Sequence, residues 1–290
     1  MGLENIAQVA VNGLVLGLTY TLFALGFTLI FSIMGVVNIA HGALYMVGGI
    51  IVYYLFGGLG INYFLTLIIV TVTLGGIGAL LERFLFRRLR GTGFTSPMIL
   101  SLGLLLFIEG VALVGFGERE KGIPSPIPGV VSIGGVSLGA ERLMILVISS
   151  ALIFGLFYFL GRMKMGQAMR ALAQDPETAY LQGIDINRMS MLSFAIATAL
   201  AGLAGALLSP VSFISYNIGS SLIIKAFIVV VLGGLGSIPG ALVGGLILGF
   251  TESFVVGYLP SYLSYLVIFA VVLIVLLVRP QGIMGRAELQ

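Results

Sequence analysis

Long apolar runs interrupted at intervals by charge, glycine or proline dominate the sequence. They lie at Ile6–Ile33, Val36–Phe56, Tyr63–Leu81, Pro97–Phe116, Leu143–Leu160, Met191–Leu208, Leu222–Leu232, Ala241–Val256 and Tyr262–Val278. At about 1.5 Å per residue, a helix needs about 20 residues to cross a hydrocarbon core of about 30 Å. The seventh run, 11 residues long, covers about half of that core, so it reads as either a short span or a half-helix returning to the side it entered from. The pattern predicts an all-α, polytopic transmembrane helical bundle of eight or nine hydrophobic segments, forming a single membrane domain over residues 1–290.

Composition removes the alternatives. Of 290 residues 59% are apolar and 9% are charged, against about 25% charged in a soluble domain, and the mean hydropathy is +1.18. No room is left for a separate soluble domain. The absence of cysteine excludes disulfides, thiolate nucleophiles and Cys-ligated metals, and His41 alone cannot build a multi-histidine metal site. A net charge of +3, shared among loops, gives no case for nucleic acid. Met1 to Glu4 lack the basic flank of a secretory signal, so the first apolar run is expected to be retained.

Charge sets the orientation. Arg83, Arg87, Arg88 and Arg90 fall in one hydrophilic segment, Arg162, Lys164, Arg170 and Arg188 in a second, and Arg279 and Arg286 in the C-terminal tail, which is four, four and two of the 14 basic residues. The positive-inside rule puts all three segments in the cytoplasm. The loop Ile123–Gly139, rich in proline and glycine and free of charge, then lies outside as a compact cap. Glycines recur four apart at Gly13 and Gly17, Gly240 and Gly244, and Gly245 and Gly249. Each pair shares a helix face and predicts close, glycine-rich helix packing.

No energy source is encoded. A phosphate-cradling GxxxxGK[ST] loop needs a Gly-Lys pair, and Lys121, Lys164 and Lys225 follow Glu120, Met163 and Ile224. The run Gly233–Gly240 lacks the strand, the lysine and the GxGxxG spacing of a nucleotide loop, and reads as a break between membrane helices. Polar residues inside the apolar runs are functional candidates, because each costs at least ~2.5 kcal/mol in lipid. Asn38 and His41, three apart, would share a face if helical, lining a path or bonding a neighbouring helix. Glu252 lies well inside the eighth run and must be neutral, paired or wet. Lys225 is its potential partner, with snorkelling to the interface as the cheaper alternative. Glu109, in the outer half of the fourth run, is expected to reach the surface.

The segment 162–190 carries the clearest local punctuation. Asp175 suits an N-cap, Pro176 the first helical position, Glu177 the positive end of the helix dipole and Gly183 the left-handed position after the last turn. A helix of two turns is too short to be stable alone, so it is expected to rest on its neighbours and on another protein. Glu177-Thr178-Ala179, followed after three residues by Gly183, resembles the EAA-xxx-G signature of ABC importer permeases, with Thr178 in place of the second small residue. The Ile-x-Leu-Pro end of that signature is absent at Ser193. The wider set is similar to the branched-chain amino acid permease family of LivH type. It comprises Asn38-x-Ala40-His41-Gly42, Gly166-x-Ala168-x-Arg170-Ala171, Gly183-Ile184-Asp185, Ala201-Gly202-Leu203-Ala204-Gly205 and Leu232-Gly233-Gly234-Leu235-Gly236-Ser237.

The resemblance implies a membrane subunit of an importer in a bacterial or archaeal cytoplasmic (inner) membrane. It would pair with a second, LivM-like permease, two cytoplasmic ATPase subunits and an extracytoplasmic substrate-binding protein. ATP and Mg would be used by those ATPases, with no cofactor bound by this chain. It also implies that Asp175, Pro176, Glu177, Thr178, Ala179 and Gly183 form an ATPase-coupling helix, with Ala179 in a close socket. Asn38, His41, Glu252 and Lys225 are the candidates for the translocation path. A urea or short-amide permease resembles the same motifs, and an ion-coupled carrier should hold paired intramembrane acids. An intramembrane hydrolase would need a nucleophile elbow that the sequence lacks.

The orientation is directly testable, because the chain has no native thiol. A Ser125→Cys variant should react with an impermeant maleimide added from outside the cell. Labelling only from the cytoplasmic side would invert the topology.

Overall fold

A computed structural model describes residues 3–133, 136–260 and 263–285. Helix α1 (Leu3–Met34) is followed by α2 (His41–Val52), which continues as a π-helical turn at Tyr53–Gly58. Next come α3 (Tyr63–Phe84), a 3-10 turn at Phe86–Leu89 and α4 (Thr95–Phe116). A hairpin of β1 (Val130–Ile133) and β2 (Val136–Gly139) precedes α5 (Ala140–Arg162), the short helices α6 (Lys164–Gln174) and α7 (Pro176–Leu181), and α8 (Ile186–Leu208). The chain ends with α9 (Ile218–Gly233), α10 (Ile238–Tyr258) and α11 (Ser264–Val278). The strands pair antiparallel, with Val130 opposite Gly139.

Among the described residues seven helices are long and apolar enough to cross a membrane, and α9 and the apolar part of α11 are shorter. Each of the nine predicted hydrophobic segments therefore contains a helix, in an all-α polytopic bundle. The seventh, predicted as Leu222–Leu232, extends to 16 residues, about 24 Å of helix. Its added first turn contains Gly219 and Ser220, which an apolar-run criterion discards.

Helix α1 forms the centre. Leu22, Phe23, Ala24, Leu25, Phe27, Leu29 and Ile30 are all buried, which fits a helix that is apolar all round and surrounded by others. The predicted glycine faces make close interhelical contacts. A Cβ at Gly249 would sit 2.2 Å from the Gly17 nitrogen, and one at Gly245 would sit 2.9 Å from the Thr21 Cα. These pack α10 on α1. On the adjoining face of α10, a Cβ at Gly240 would come 2.2 Å from the Gly233 carbonyl oxygen and one at Gly244 2.3 Å from the Val229 oxygen, which packs α10 on α9. Helix α8 uses Gly202 and Gly205 in the same way, against α3 and α2.

The chain between α1 and α2 overturns one expectation. Gly35 has φ +64°, and its N–H donates to the Phe31 carbonyl at 2.8 Å, which closes α1 in a left-handed turn. Residues 35–40 are non-helical, so Asn38 and His41 do not share a helix face. The first helix ends at Met34, in the gap predicted between the first two runs, and the second begins five residues later than its run.

Tertiary contacts sort the helix ends onto two faces. On one, Arg87 and Arg90 of the segment after α3 reach Asn187 at the start of α8. A cavity of about 870 Å³ also opens there among the ends of α1 and α5, helix α6 and the α9–α10 turn. The tail returns to this face, with Ile283 and Met284 N–H groups donating to the Leu232 and Gly233 carbonyls. On the other face, Arg142 bonds Asn12, the Tyr63 hydroxyl donates to the Ala206 carbonyl at 2.8 Å, and Lys121 and Ile214 exchange backbone hydrogen bonds. The predicted basic segments around Arg83–Arg90, Arg162–Arg188 and Arg279 belong to the first face, called the basic face below. Arg286 and the residues Met1 and Gly2 lie outside the described residues.

The glycine contacts carry a stability prediction. Gly249→Val should destabilise the detergent-purified protein by about 1–3 kcal/mol through overpacking against α1. Gly155→Ala, where a Cβ meets nothing within 4 Å, should be neutral or stabilising by up to about 1 kcal/mol. Thermal melts of the two variants check both, and an unshifted Gly249→Val would refute the close α1–α10 contact.

Candidate functional site

The punctuated segment folds as its local signals require. The Asp175 Oδ1 accepts from the N–H groups of Glu177 at 3.0 Å and Thr178 at 3.1 Å, and its other oxygen accepts from the Thr178 hydroxyl. The Thr178 hydroxyl and amide, then the Glu177 amide, hold the Asp175 carboxyl below its usual range. A depressed folded-state pKa means that the cap is fully formed above the ordinary aspartate pKa and is lost only as pH falls through the lowered value. At the far end the Ile184 N–H donates to the Ala179 carbonyl at 3.1 Å and the Gly183 N–H to the Tyr180 carbonyl at 2.9 Å. That is a Schellman closure, with Gly183 at φ +81°.

The orientation of α7 corrects one expectation. Ala179 is buried against its own chain, in the core cluster, so it does not offer itself to an outside socket. The exposed positions are Glu177, Thr178, Tyr180 and Leu181, with Tyr180 at 66% and Leu181 at 82% exposure. A Cβ at Gly183 would meet nothing of this chain within 4 Å. The helix therefore sits on α6 and the core by its alanine and presents two large apolar side chains outward. Sequence reading missed Tyr180 and Leu181, because a six-residue helix shows too little periodicity to tell which side faces in.

Glu252 and Lys225 meet within the bundle. Helix α9 begins at Ile218, so Lys225 stands in its middle and does not snorkel. Its Nζ lies 2.7 Å and 3.0 Å from the two Glu252 carboxylate oxygens. The Tyr20 hydroxyl accepts from Lys225 at 2.8 Å and donates to Glu252 at 2.9 Å. The cation also lies 4.9 Å from the Tyr20 ring centre. This triad ties α1, α9 and α10 together, and both charged side chains keep 17% exposure. Tyr20 was legible only as an aromatic residue in an apolar run. Glu109, expected at the surface, is instead half-buried and accepts from the Ser220 hydroxyl at 2.6 Å and its N–H at 3.2 Å, at the start of α9.

Asn38 and His41 are buried at the break before α2. The His41 Nε2 lies 3.1 Å from the Phe23 carbonyl oxygen, and its ring stacks on Phe23 with centres 4.8 Å apart. The Ser101 hydroxyl of α4 holds the break by accepting from the Ile39 N–H at 3.0 Å and contacting the Val37 carbonyl at 3.3 Å. The amide group of Asn38 and Nδ1 of His41 have no protein partner. All the intramembrane polar candidates therefore face protein. They fall into two separate places, Lys225 with Glu252 and Asn38 near His41, with no direct hydrogen bond between the two sets.

A polytopic all-α bundle with paired intramembrane charges, a helix broken within the bundle and a short capped helix on its basic face defines a membrane transport subunit. Residues 9–276 match the family described as branched-chain amino acid transport system / permease component, and the chain belongs to that family. It is 37% identical over 300 residues to the high-affinity branched-chain amino acid transport system permease protein BraD of Pseudomonas aeruginosa, covering 98% of this chain and 97% of that protein. It is 34% identical to LivH of Escherichia coli K12, covering 96% and 95%. A third relative, the probable LivH of Methanocaldococcus jannaschii, is 30% identical over 77% of this chain and 72% of its own length. No solved structure matches it.

A double-mutant cycle tests the triad. Glu252→Leu strands the Lys225 charge and should lower stability by up to about 3–5 kcal/mol, whereas Lys225→Met with Glu252→Leu should recover most of the loss. Additive effects in thermal melts would show that the two side chains do not pair.

Proposed function

We propose that this chain is a permease subunit of an ATP-driven ABC importer for branched-chain or other hydrophobic amino acids, working in the cytoplasmic membrane with its basic face inward. The observation that carries the reading is α7. It is capped at both ends, anchored by one buried alanine, and displays Tyr180 and Leu181 to a partner on the face where the arginines collect. Exposed apolar side chains of that size on a charged face fit a protein contact.

In this reading the chain pairs with a second, LivM-like permease and receives substrate from an extracytoplasmic binding protein. Two cytoplasmic ATPase subunits bind ATP with Mg. Their closure pushes α7, and the bundle exchanges outward for inward access. The amino-acid substrate is supported by the names and coverage of the relatives, 37% and 34% identical over nearly the whole chain. Lys225, Glu252, Asn38 and His41 are polar groups available to a path, because they are held within protein at membrane depth.

Purification from the native membrane in mild detergent should bring down an ATPase and a second permease. Absence of any ATPase, with transport driven by an ion gradient, would overturn the reading. Gly183→Val should abolish uptake into proteoliposomes, because a β-branched residue is strained at φ > 0. Hydrolysis would then either disappear with lost ATPase subunits or cease to respond to loaded binding protein. Gly103→Ala, on open helix surface, should transport normally. Normal coupling in a stably expressed Gly183→Val protein would reduce α7 to a well-capped loop.

A further inference from the structure

Glu82 is fully buried in the last turn of α3. Both of its carboxylate oxygens are taken by arginines of the following segment. Arg87 donates to Oε2 at 2.7 Å and to Oε1 at 3.3 Å, and Arg90 donates to Oε1 at 2.8 Å. Each arginine also holds Asn187, in the first turn of α8. Arg90 donates to the Asn187 side-chain oxygen at 2.7 Å, and Arg87 donates to its backbone carbonyl at 3.3 Å. The planar guanidinium fork fixes direction as well as distance. Glu82, Arg87 and Arg90 therefore clamp the end of α3 to the start of α8.

That clamp stands next to α7. Only residues 182–185 separate α7 from α8, and the Asp185 carboxylate accepts from the Asn187 N–H at 2.9 Å and the Arg188 N–H at 3.1 Å. Arg90, Tyr180, Gly183 and Asn187 line one shallow groove of about 390 Å³. On its other side the clamp continues inward. Phe86, between the two charged ends, packs on Phe194 of α8 with ring centres 4.7 Å apart. These two form a buried cluster with Ile30 and Ala197, against which Met34 and Val36 pack. Val36 belongs to the break before α2, and a Cβ at Gly26 would touch both the Ala197 carbonyl and the His41 ring. A contiguous set of packed and charge-paired groups thus runs from α7 to the break that holds Asn38.

We propose that Glu82, Arg87, Arg90 and Asn187 are positioning residues that make one rigid strut, transmitting displacement of α7 to α3, α8 and the break at residues 35–40. The proposal rests on the reading that an ATPase drives α7. A buried ion pair is weak evidence for stability, because apolar replacement is often neutral or better. The strut instead supplies direction. Apart from Ala179, the residues of α7 face outward, so displacement leaves it through its chain connections to α6 and α8. At the α8 end, the arginines prevent the start of that helix from sliding along α3. Coupling across such a joint requires an element that keeps one arrangement under load.

The test uses the assembled transporter in proteoliposomes, with uptake and ATP hydrolysis measured in the same sample. Arg90→Gln and Asn187→Ala alter exposed side chains and leave the Arg87–Glu82 pair in place, so assembly and melting temperature should hold. Uptake per ATP hydrolysed should fall on the order of tenfold, within the usual range of coupling energies. In an Arg90→Cys, Asn187→Cys double variant, uncoupled as isolated, a short bis-methanethiosulfonate linker, each end forming a disulfide with one thiol and releasing sulfinate, should restore the ratio, since the chain has no other cysteine. Normal coupling in the assembled single variants would overturn the strut, as would failure of the linked pair to recover. Should the native protein itself show no ATP-dependent uptake, the importer reading fails first and the strut falls with it.

Discussion

Backbone contact between glycine-bearing helices is the constraint on which the rest of this bundle depends. Lipid tails are as apolar as leucine, so no hydrophobic force drives one spanning helix against another, and association relies on close packing and interhelical hydrogen bonds. Here α10 meets α1 through Gly245 and Gly249, and meets α9 through Gly240 and Gly244. Those contacts bring Lys225, Glu252 and Tyr20, from three helices, within hydrogen-bonding distance. Side chains in place of the glycines would separate the helices and leave two charges unpaired in an apolar medium. The glycines and the ion pair are therefore one device.

The same lack of water organises the irregular parts. The chain leaves α1 at Gly35 and runs without helical bonding until His41, and it is tolerated because Ser101 of α4 and the wall of α1 surround it. Polar groups at the break are only partly satisfied by protein, since the Asn38 side-chain amide and Nδ1 of His41 lack protein partners. The bundle combines a tightly paired charged site on α9 and α10 with an unsatisfied polar site at the break. Helix α7 lies at the basic face, tied to the same break by its connection to α8 and the aromatic cluster of Phe86 and Phe194.

Family membership and architecture agree on a membrane transport subunit. The chain carries no phosphate loop, and the short helix α7 on the basic face ends in Tyr180 and Leu181, exposed side chains suited to a protein contact. What the bundle itself supplies is stiffness, with charges placed where stiffness must be maintained across helix boundaries.

The sequence by itself determined the all-α membrane class, the approximate place of each membrane helix, the glycine faces and the capped helix around Asp175 and Gly183. These are properties of short windows: an apolar run of sufficient length, a four-residue spacing, or an N-cap followed by proline. Only the tertiary structure decided that Ala179 turns inward, that residues 35–40 are not helical, that Lys225 pairs with Glu252 and that Glu109 meets Ser220. It alone revealed Glu82 as a buried centre shared by Arg87 and Arg90, which a linear reading sees only as the start of a charged loop. The physical reason is separation along the chain. A cap satisfies groups two or three residues away, whereas Tyr20 and Glu252 meet across 232 residues, and a carboxylate's partner is fixed by which helices touch.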